Sequence, residues 1–209
     1  MKKGAILLGC LGVILVAVVV FILFAVGVYN RLVTLEETVT QQWAQVENVY
    51  QRRADLIPNL VRTVQGAADF ERTTLQNVIE ARARVGQMQI GSEVTENPEA
   101  FRQFEQVQAG LTSALSRLLV VVERYPELRA NQNFLELQSQ LEGTENRITV
   151  ERMRYNQAAQ AFNTAIRRVP ANLIARILGF VRKEYFQAEA GADQPPDVGF
   201  DFSQPAEQP

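Results

Sequence analysis

The side chains of this chain that could carry out chemistry are its carboxylates and its arginines. The 209 residues include no histidine, and the one cysteine, Cys10, lies in an apolar N-terminal run. A Ser-His-Asp or Cys-His nucleophile pair, a Cys/His zinc site and a di-iron site of the Glu-x-x-His kind are therefore excluded within this sequence. A reaction would have to use a pair of carboxylates or an arginine site.

These residue types are scattered along helical patterns, which is typical of solvated helix faces. The glycines of the polar region are isolated, so no phosphate-binding loop is predicted. The formal net charge is −2, which provides no basic field to attract nucleic acid. We therefore expect a protein that is not an enzyme, with no catalytic, metal-binding or cofactor-binding residues, no small-molecule substrate and no nucleic-acid partner.

The N-terminal part of the chain is an uncharged apolar run at 4–28, to which the polar part is attached. At about 1.5 Å per residue it measures roughly 37 Å as a helix, which exceeds the ~30 Å hydrocarbon core of a bilayer. A cleaved signal peptide has an apolar region of about 7–15 residues, so we expect an uncleaved transmembrane anchor after a short segment at 1–3. Lys2 and Lys3 precede the run, which favours a cytoplasmic N-terminus and a domain outside the cytoplasm.

The rest of the chain divides into a predicted helical domain at 29–186 and a tail at 187–209. The tail carries five acidic residues, no basic residue and half of the eight prolines. Because such a composition cannot bury a core, we expect the tail to be disordered.

Apolar residues in the domain recur at helical spacing. The first stripe consists of Leu35, Val39, Trp43, Val46, Tyr50, Ile57 and Val64. A later stripe repeats every seven residues: Phe134, Leu141, Ile148, Tyr155, Phe162 and Val169. A seven-residue repeat indicates long helices packed nearly parallel, as in a coiled coil. The predicted fold class is all-α: an N-terminal transmembrane helix, then an antiparallel bundle of about four long helices and the disordered tail.

Prolines and capping residues predict the helix bounds. Pro58 should kink the first helix or make it restart. A second helix is expected at about 70–88, and Asn97-Pro98 should begin a third. Tyr125-Pro126 should begin the last long helix, over 127–168.

Polar residues at 144–147 interrupt the seven-residue stripe, so some of them must face inward. We hypothesise that Arg52 or Arg53 pairs with Glu145 or Glu123 inside the bundle and fixes the register of the helices. The alternative is a polar groove that binds a partner.

The segment 172–186 mixes apolar residues with arginines and a lysine. If the first and last long helices are antiparallel, this segment returns to the membrane end of the bundle. An interfacial helix there could contact anionic lipid through Arg176, Phe180, Arg182 and Lys183. The alternative is that its apolar residues only cap the open end of the bundle.

Several blocks of the chain resemble the LemA family over residues 28–186. They read Tyr29-Asn30-Arg31, Gln42-Trp43-Ala44, Arg52-Arg53-Ala54-Asp55-Leu56-Ile57-Pro58-Asn59, Glu123-Arg124-Tyr125-Pro126, Gly143-Thr144-Glu145-Asn146-Arg147, Arg154-Tyr155-Asn156, Gly179-Phe180 and Tyr185-Phe186. The resemblance implies a bacterial protein with an N-terminal membrane segment, a helical bundle and no established enzymatic activity. It marks as family or structural positions Asn30, Trp43, Arg52, Arg53, Asp55, Pro58, Asn59, Tyr125, Pro126, Thr144, Glu145, Asn146, Tyr155 and Asn156.

The predicted function is that of a scaffold or interaction module of the bacterial cell envelope. It would be single-pass in the inner membrane and would associate with itself or with other envelope proteins. The alternative is a module that organises or remodels membranes, which contacts lipid through the end of the bundle and residues 172–186. A relative of the family in magnetosome membranes favours a role of this kind.

Overall fold

The computed structural model describes residues 2–66, 70–88 and 91–187, with side chains from residue 11 onward. Within these residues the protein is all-α, as the sequence predicts. The elements are α1 Lys2–Gln65, α2 Arg72–Gly86, a 3₁₀ helix Ser92–Glu96, α3 Pro98–Val122, α4 Pro126–Arg129, α5 Gln132–Arg167 and α6 Ala171–Leu178. The predicted disordered tail lies, from residue 188 on, outside the described residues.

Helix α1 joins the apolar run to the bundle without a break. Over residues 11–24 its side chains are exposed and apolar, and this part is long and apolar enough to cross a membrane. Beyond Asn30 the same helix buries Leu32, Val39 and Trp43 against the rest of the bundle. The surface of the helix is thus apolar on all sides at its start, and the helix is amphipathic further on.

The helix passes through Pro58 without restarting. Because proline has no N–H, the carbonyl of Ala54, four residues earlier, loses its helical partner. Arg82 of α2 donates from Nε to this carbonyl at 3.2 Å. A neighbouring helix therefore supplies the hydrogen bond that the proline removes.

Helices α1, α2, α3 and α5 form an up-down-up-down bundle. Trp43 of α1 contacts Tyr155 of α5, with ring centroids 5.3 Å apart. Ten residues further along α1, Arg53 meets Glu145, ten residues earlier along α5. These two contacts make α1 and α5 antiparallel, as the sequence predicts.

The predicted start of α3 is confirmed, and that of the last long helix is wrong. The Asn97 side chain accepts hydrogen bonds from the N–H groups of Glu99 and Ala100 at 3.0 and 3.2 Å. Pro126, in contrast, begins only the four-residue α4. The long helix α5 starts at Gln132, because Asn131 caps the N–H groups of the next turn. It ends at Arg167, which leaves Val169 outside the helix and 81% exposed.

The buried apolar residues form two clusters, one after the other along the bundle. The first, around Trp43, lies nearer the apolar run and includes Phe104 and Tyr155. The second, around Ile57, includes Leu111 and Leu141. Polar residues lie between the two clusters in α1, α3 and α5.

Candidate functional site

The polar layer between the two apolar clusters is built around Arg53, whose side chain is buried. Its Nη1 donates to the Oγ1 of Thr112 at 2.9 Å and to Oε2 of Glu145 at 3.0 Å. Its Nη2 donates to Oε1 of Gln108 at 2.5 Å. The guanidinium also lies over the ring of Tyr50, 5.0 Å from its centroid. Of the pairings that the sequence leaves open, the structure forms the one between Arg53 and Glu145.

This layer joins three helices through side-chain hydrogen bonds. The carboxylate partner of Arg53, Glu145, is half exposed at the edge of the layer. Thr144, buried beside it, donates to the carbonyl of Gln140 in its own helix at 2.7 Å. Burial raises the pKa of the nearby Tyr50 phenol, which keeps it neutral. Arg53 thus links α1, α3 and α5 through hydrogen bonds to Gln108, Thr112 and Glu145.

Trp43 is the centre of the aromatic cluster on the other side of that layer. Its ring contacts Phe101, Phe104, Tyr155 and Phe186 at centroid distances between 5.3 and 6.0 Å. The hydroxyl of Tyr155 donates to the carbonyl of Glu184 at 2.9 Å, and burial raises the pKa of this phenol. Trp43 and Tyr155, both singled out by the resemblance, therefore lie together.

Residues 179–187, the C-terminal strap, have no regular secondary structure and run along α5 in the opposite direction. Helix α6 ends at Leu178, and the next residue, Gly179, has a φ of +78°, in the left-handed region that favours glycine. Asn163 then accepts from the N–H of Lys183 at 2.9 Å and donates to its C=O at 2.8 Å. Asn156 makes the same pair of bonds to Phe186, at 3.0 and 2.9 Å.

The two asparagines match the strap in spacing. Seven residues along a helix rise about 10.5 Å, and three residues of extended chain span about 10 Å. Asn156 and Asn163 can therefore hold Phe186 and Lys183 without strain in either segment. The strap covers the core beside α3, and the Phe186 ring is buried there with its centroid 4.9 Å from that of Phe101.

The structure corrects the prediction that Lys183 contacts the membrane surface. Its side chain is only 4% exposed, and its Nζ donates to Glu36 at 2.9 Å and to Glu96 at 2.6 Å. A buried ammonium needs such partners, because leaving water without them costs several kcal/mol. The prediction of one interfacial helix over 172–186 is also wrong, since α6 ends at Leu178 and the strap follows.

Helix α6 lies at the end of the bundle where the apolar run of α1 emerges; we call it the α6 end. Phe180, half-buried, packs on Tyr29 of α1 with ring centroids 6.3 Å apart. Five apolar side chains around α6 are exposed: Val169, Leu173, Ile177, Leu178 and Val181. So are five arginines: Arg31, Arg167, Arg168, Arg176 and Arg182. No acidic residue occurs in segments 1–35 or 152–183 of the sequence.

The other predicted positions are not brought together into one site. The exposed ones are Asn30, Arg52, Asp55, Asn59, Pro126 and Asn146. Pro58 and Tyr125 are half-buried, and the Tyr125 ring packs on Phe70 at 5.0 Å. Across the described residues, no group of three or more acidic or cysteine side chains is arranged to hold a metal ion.

Sequence reasoning missed several partners in the polar contacts: Glu36, Glu96, Gln108, Thr112 and Asn163. One signal was present, because Asn156 and Asn163 are seven residues apart beside the seven-residue apolar stripe. Each of these amides can both donate and accept a hydrogen bond, but their spacing does not show which segment they bind. The two carboxylate partners of Lys183, Glu36 and Glu96, come from two distant parts of the chain, and no local pattern indicates them.

The fold and the polar contacts define a class of protein: a long-helix bundle continuous with one helix of membrane-spanning length. The sequence profile of the LemA family matches residues 42–200. The chain belongs to the LemA family.

Curated relatives fit this assignment. The chain is 29% identical over 195 residues to Magnetosome protein MamQ 2 of Paramagnetospirillum magneticum, which covers 86% of this chain and 72% of the relative. It is 27% identical to Magnetosome protein MamQ of Magnetospirillum gryphiswaldense, over 88% and 74% of the two chains. It is 22% identical to Protein LemA of Metamycoplasma hominis, over 81% and 73%. None of these names states an enzymatic activity.

Proposed function

We propose that this protein is a membrane-anchored, non-enzymatic scaffold of the bacterial cell envelope whose bundle contacts the bilayer surface through α6. The observation that carries the proposal is the exposed apolar face of α6, next to the point where the apolar run leaves the bundle. Ile177 is 82% exposed and Leu173 is 62% exposed. Exposed apolar groups flanked by arginines are typical of a helix that lies at a membrane interface.

The unbroken course of α1 supports this arrangement. Because one helix forms both the proposed anchor and the first wall of the bundle, no flexible linker separates the bundle from the bilayer. The α6 end would then be held at the headgroups, where its arginines meet anionic lipid. The names of the magnetosome relatives support a place for this protein at a membrane.

The proposal can be tested by site-directed spin labelling of the full-length protein in nanodiscs. Since Cys10 is the only cysteine, Cys10→Ser gives a background without thiols. A label at Ile177→Cys should collide more often with oxygen, which concentrates in lipid, than with a water-soluble nickel reagent. The matched control is Ile79→Cys on α2, also an exposed isoleucine, and it should show the opposite preference. Equal exposure to the aqueous reagent at both positions would contradict the proposal.

Anchor orientation and partners complete the proposed function. Lys2 and Lys3 support a cytoplasmic N-terminus in the inner membrane, with the bundle on the other side.

We further propose that the scaffold associates with a second copy or with other envelope proteins. Light scattering of the full-length protein in mild detergent distinguishes these: a discrete multiple of the chain mass supports self-association, and a single chain mass favours other partners.

A further inference from the structure

A groove of about 530 Å³ lies between α1 and the C-terminal part of α5, at the α6 end of the bundle. Its apolar wall includes Phe24 and Val28 of α1 with Ala161 and Val169 on the opposite side. Arg31 and Arg168 also line it. The volume is within the range of about 300–1,000 Å³ that is typical of ligand sites.

The position of the groove along α1 fixes its position in a bilayer. Phe24 and Val28 belong to the last turns of the apolar run, and Arg31 is the first charged residue after it. The groove therefore crosses from the hydrocarbon region to the headgroup region, provided that the apolar run spans a bilayer as proposed above. Lipid, rather than water, is the solvent at its apolar end.

The charge in the groove is unbalanced. Within the part of the chain that the structure describes, neither Arg31 nor Arg168 forms an ion pair, and no carboxylate lines the groove. Lys183 is different, because Glu36 and Glu96 neutralise it. Two unpaired guanidinium groups at the headgroup level suit a phosphate, whose oxygens can accept two hydrogen bonds from each.

We propose that this groove binds one anionic phospholipid of the surrounding bilayer. The headgroup phosphate lies between Arg31 and Arg168, and an acyl chain lies against Phe24, Val28 and Val169. A zwitterionic lipid has the same phosphate, but its own cation opposes the arginines. The site therefore selects for a net negative headgroup. The proposal deepens the proposed function, on which it rests for the depth of α1.

The test uses the full-length protein in nanodiscs that contain equal amounts of phosphatidylcholine and phosphatidylglycerol. The protein is released into mild detergent, and native mass spectrometry measures the lipid that stays bound. The wild type should retain one phosphatidylglycerol in preference to phosphatidylcholine. The double variant Arg31→Gln/Arg168→Gln should retain at least fivefold less, with unchanged helix content by circular dichroism.

A matched control uses two arginines of another groove. Arg84 and Arg117 line a groove between α2 and α3. The neighbouring Arg82 contacts Ala54, which lies 23 residues beyond Arg31 on α1, about 35 Å along the helix. Arg84→Gln/Arg117→Gln should leave lipid retention unchanged. Ala161→Trp, which fills the lipid groove and keeps both arginines, should reduce retention like the arginine variant.

Three results would overturn the lipid site. They are a wild type that retains no lipid or both lipids equally, a double arginine variant that retains as much as the wild type, and a control that loses as much. The spin-label experiment separates this site from the proposed function. If a label at position 177 is exposed to water while phosphatidylglycerol is still retained, the contact through α6 is contradicted and the lipid site stands. If the label at position 177 lies in lipid but no phosphatidylglycerol is retained, the lipid site is contradicted and the contact through α6 stands.

Discussion

Arg53 and Glu145 are 92 residues apart in the chain, yet Nη1 of the arginine and Oε2 of the glutamate are 3.0 Å apart in the bundle. They join α1 to α5 at the level where one apolar cluster ends and the next begins. The contact allows one register of these antiparallel helices, since a shift by one turn, about 5.4 Å, would leave the buried guanidinium without its partners.

Replacing Arg53 should destabilise the protein more than replacing its partner. Arg53→Met leaves Gln108 and Thr112 without a buried donor, and we expect a loss of about 2–3 kcal/mol in the free energy of unfolding. Glu145→Gln should cost less than about 1 kcal/mol, because its side chain is half exposed and the amide oxygen still accepts. Urea unfolding of the full-length protein in detergent, followed by circular dichroism, measures both.

A double-mutant cycle of Arg53→Met with Glu145→Ala, which leaves no side-chain acceptor at position 145, isolates the contact itself. A coupling of at least about 0.5 kcal/mol is expected for groups in direct contact. The control is Glu142→Gln in the preceding turn of α5, which is exposed and should not couple to Arg53. Zero coupling between Arg53 and Glu145 would remove the register role of this pair.

Asn163→Ala should release the C-terminal strap. The substitution leaves the buried N–H and C=O of Lys183 unpaired, which costs about 1–3 kcal/mol for each such group. We expect faster amide hydrogen exchange over residues 179–187, measured by mass spectrometry in nanodiscs. Asn146→Ala, an exposed asparagine of the same helix, is the control and should change nothing. Unchanged exchange in Asn163→Ala would mean that Asn163 does not hold the strap.

Periodicity predicts most of the bundle. The stripe positions from Phe134 to Phe162 are buried, and the antiparallel pairing of α1 with α5 is as predicted. The start of α5 differs from the prediction because Pro126 suits a first helical turn anywhere, whereas α4 ends at Arg129 and Asn131 caps the helix that follows. Local patterns do not show which of two nearby caps begins the longer helix.

The strap could not be predicted from local pattern. Residues 179–187 have no regular secondary structure, so their fold depends on side-chain bonds to α5 and on the fit of Phe186 beside Trp43. Lys183 looked like a surface cation because it stands beside Arg182 among apolar residues. Only the tertiary fold brings Glu36 and Glu96 to it, from 147 and 87 residues away.

Glu47→Gln should stabilise the protein at neutral pH. Burial raises the pKa of Glu47 above its ordinary value of 4.5; a contact with Trp43 partly opposes this, and the charge of Glu93 adds to it. Because the folded state binds this proton more tightly than the unfolded state, ionisation opposes folding. This cost is absent below the ordinary pKa, grows as the pH rises above it, and is complete once the pH exceeds the folded-state pKa.

The expected result is a higher Tm for Glu47→Gln than for the wild type at pH 7, with the difference vanishing near about pH 4. Glu37→Gln, an exposed glutamate of the same helix, is the control. A Tm difference that is larger at pH 4 than at pH 7 would contradict the claim that ionisation of Glu47 opposes folding.

Leu173→Ser/Ile177→Ser should distinguish lipid contact from capping of the bundle. Both side chains are exposed, so the free energy of unfolding in detergent should change by no more than about 0.5 kcal/mol for each. In nanodiscs the same variant should exchange the amides of residues 171–178 faster than the wild type. A loss of about 2 kcal/mol or more would instead show that these residues cap the core.

Neutron reflectometry of the full-length protein in a supported bilayer tests the central claim most directly. The part of α1 from Asn30 to Gln65 measures about 54 Å, or about 50 Å at a tilt of ~20°. We expect a protein layer of about this thickness that begins at the lipid headgroups, with no water layer between the headgroups and the protein. A water layer between lipid and protein, or a layer of about half this thickness, would contradict a bundle that stands on the membrane through α6.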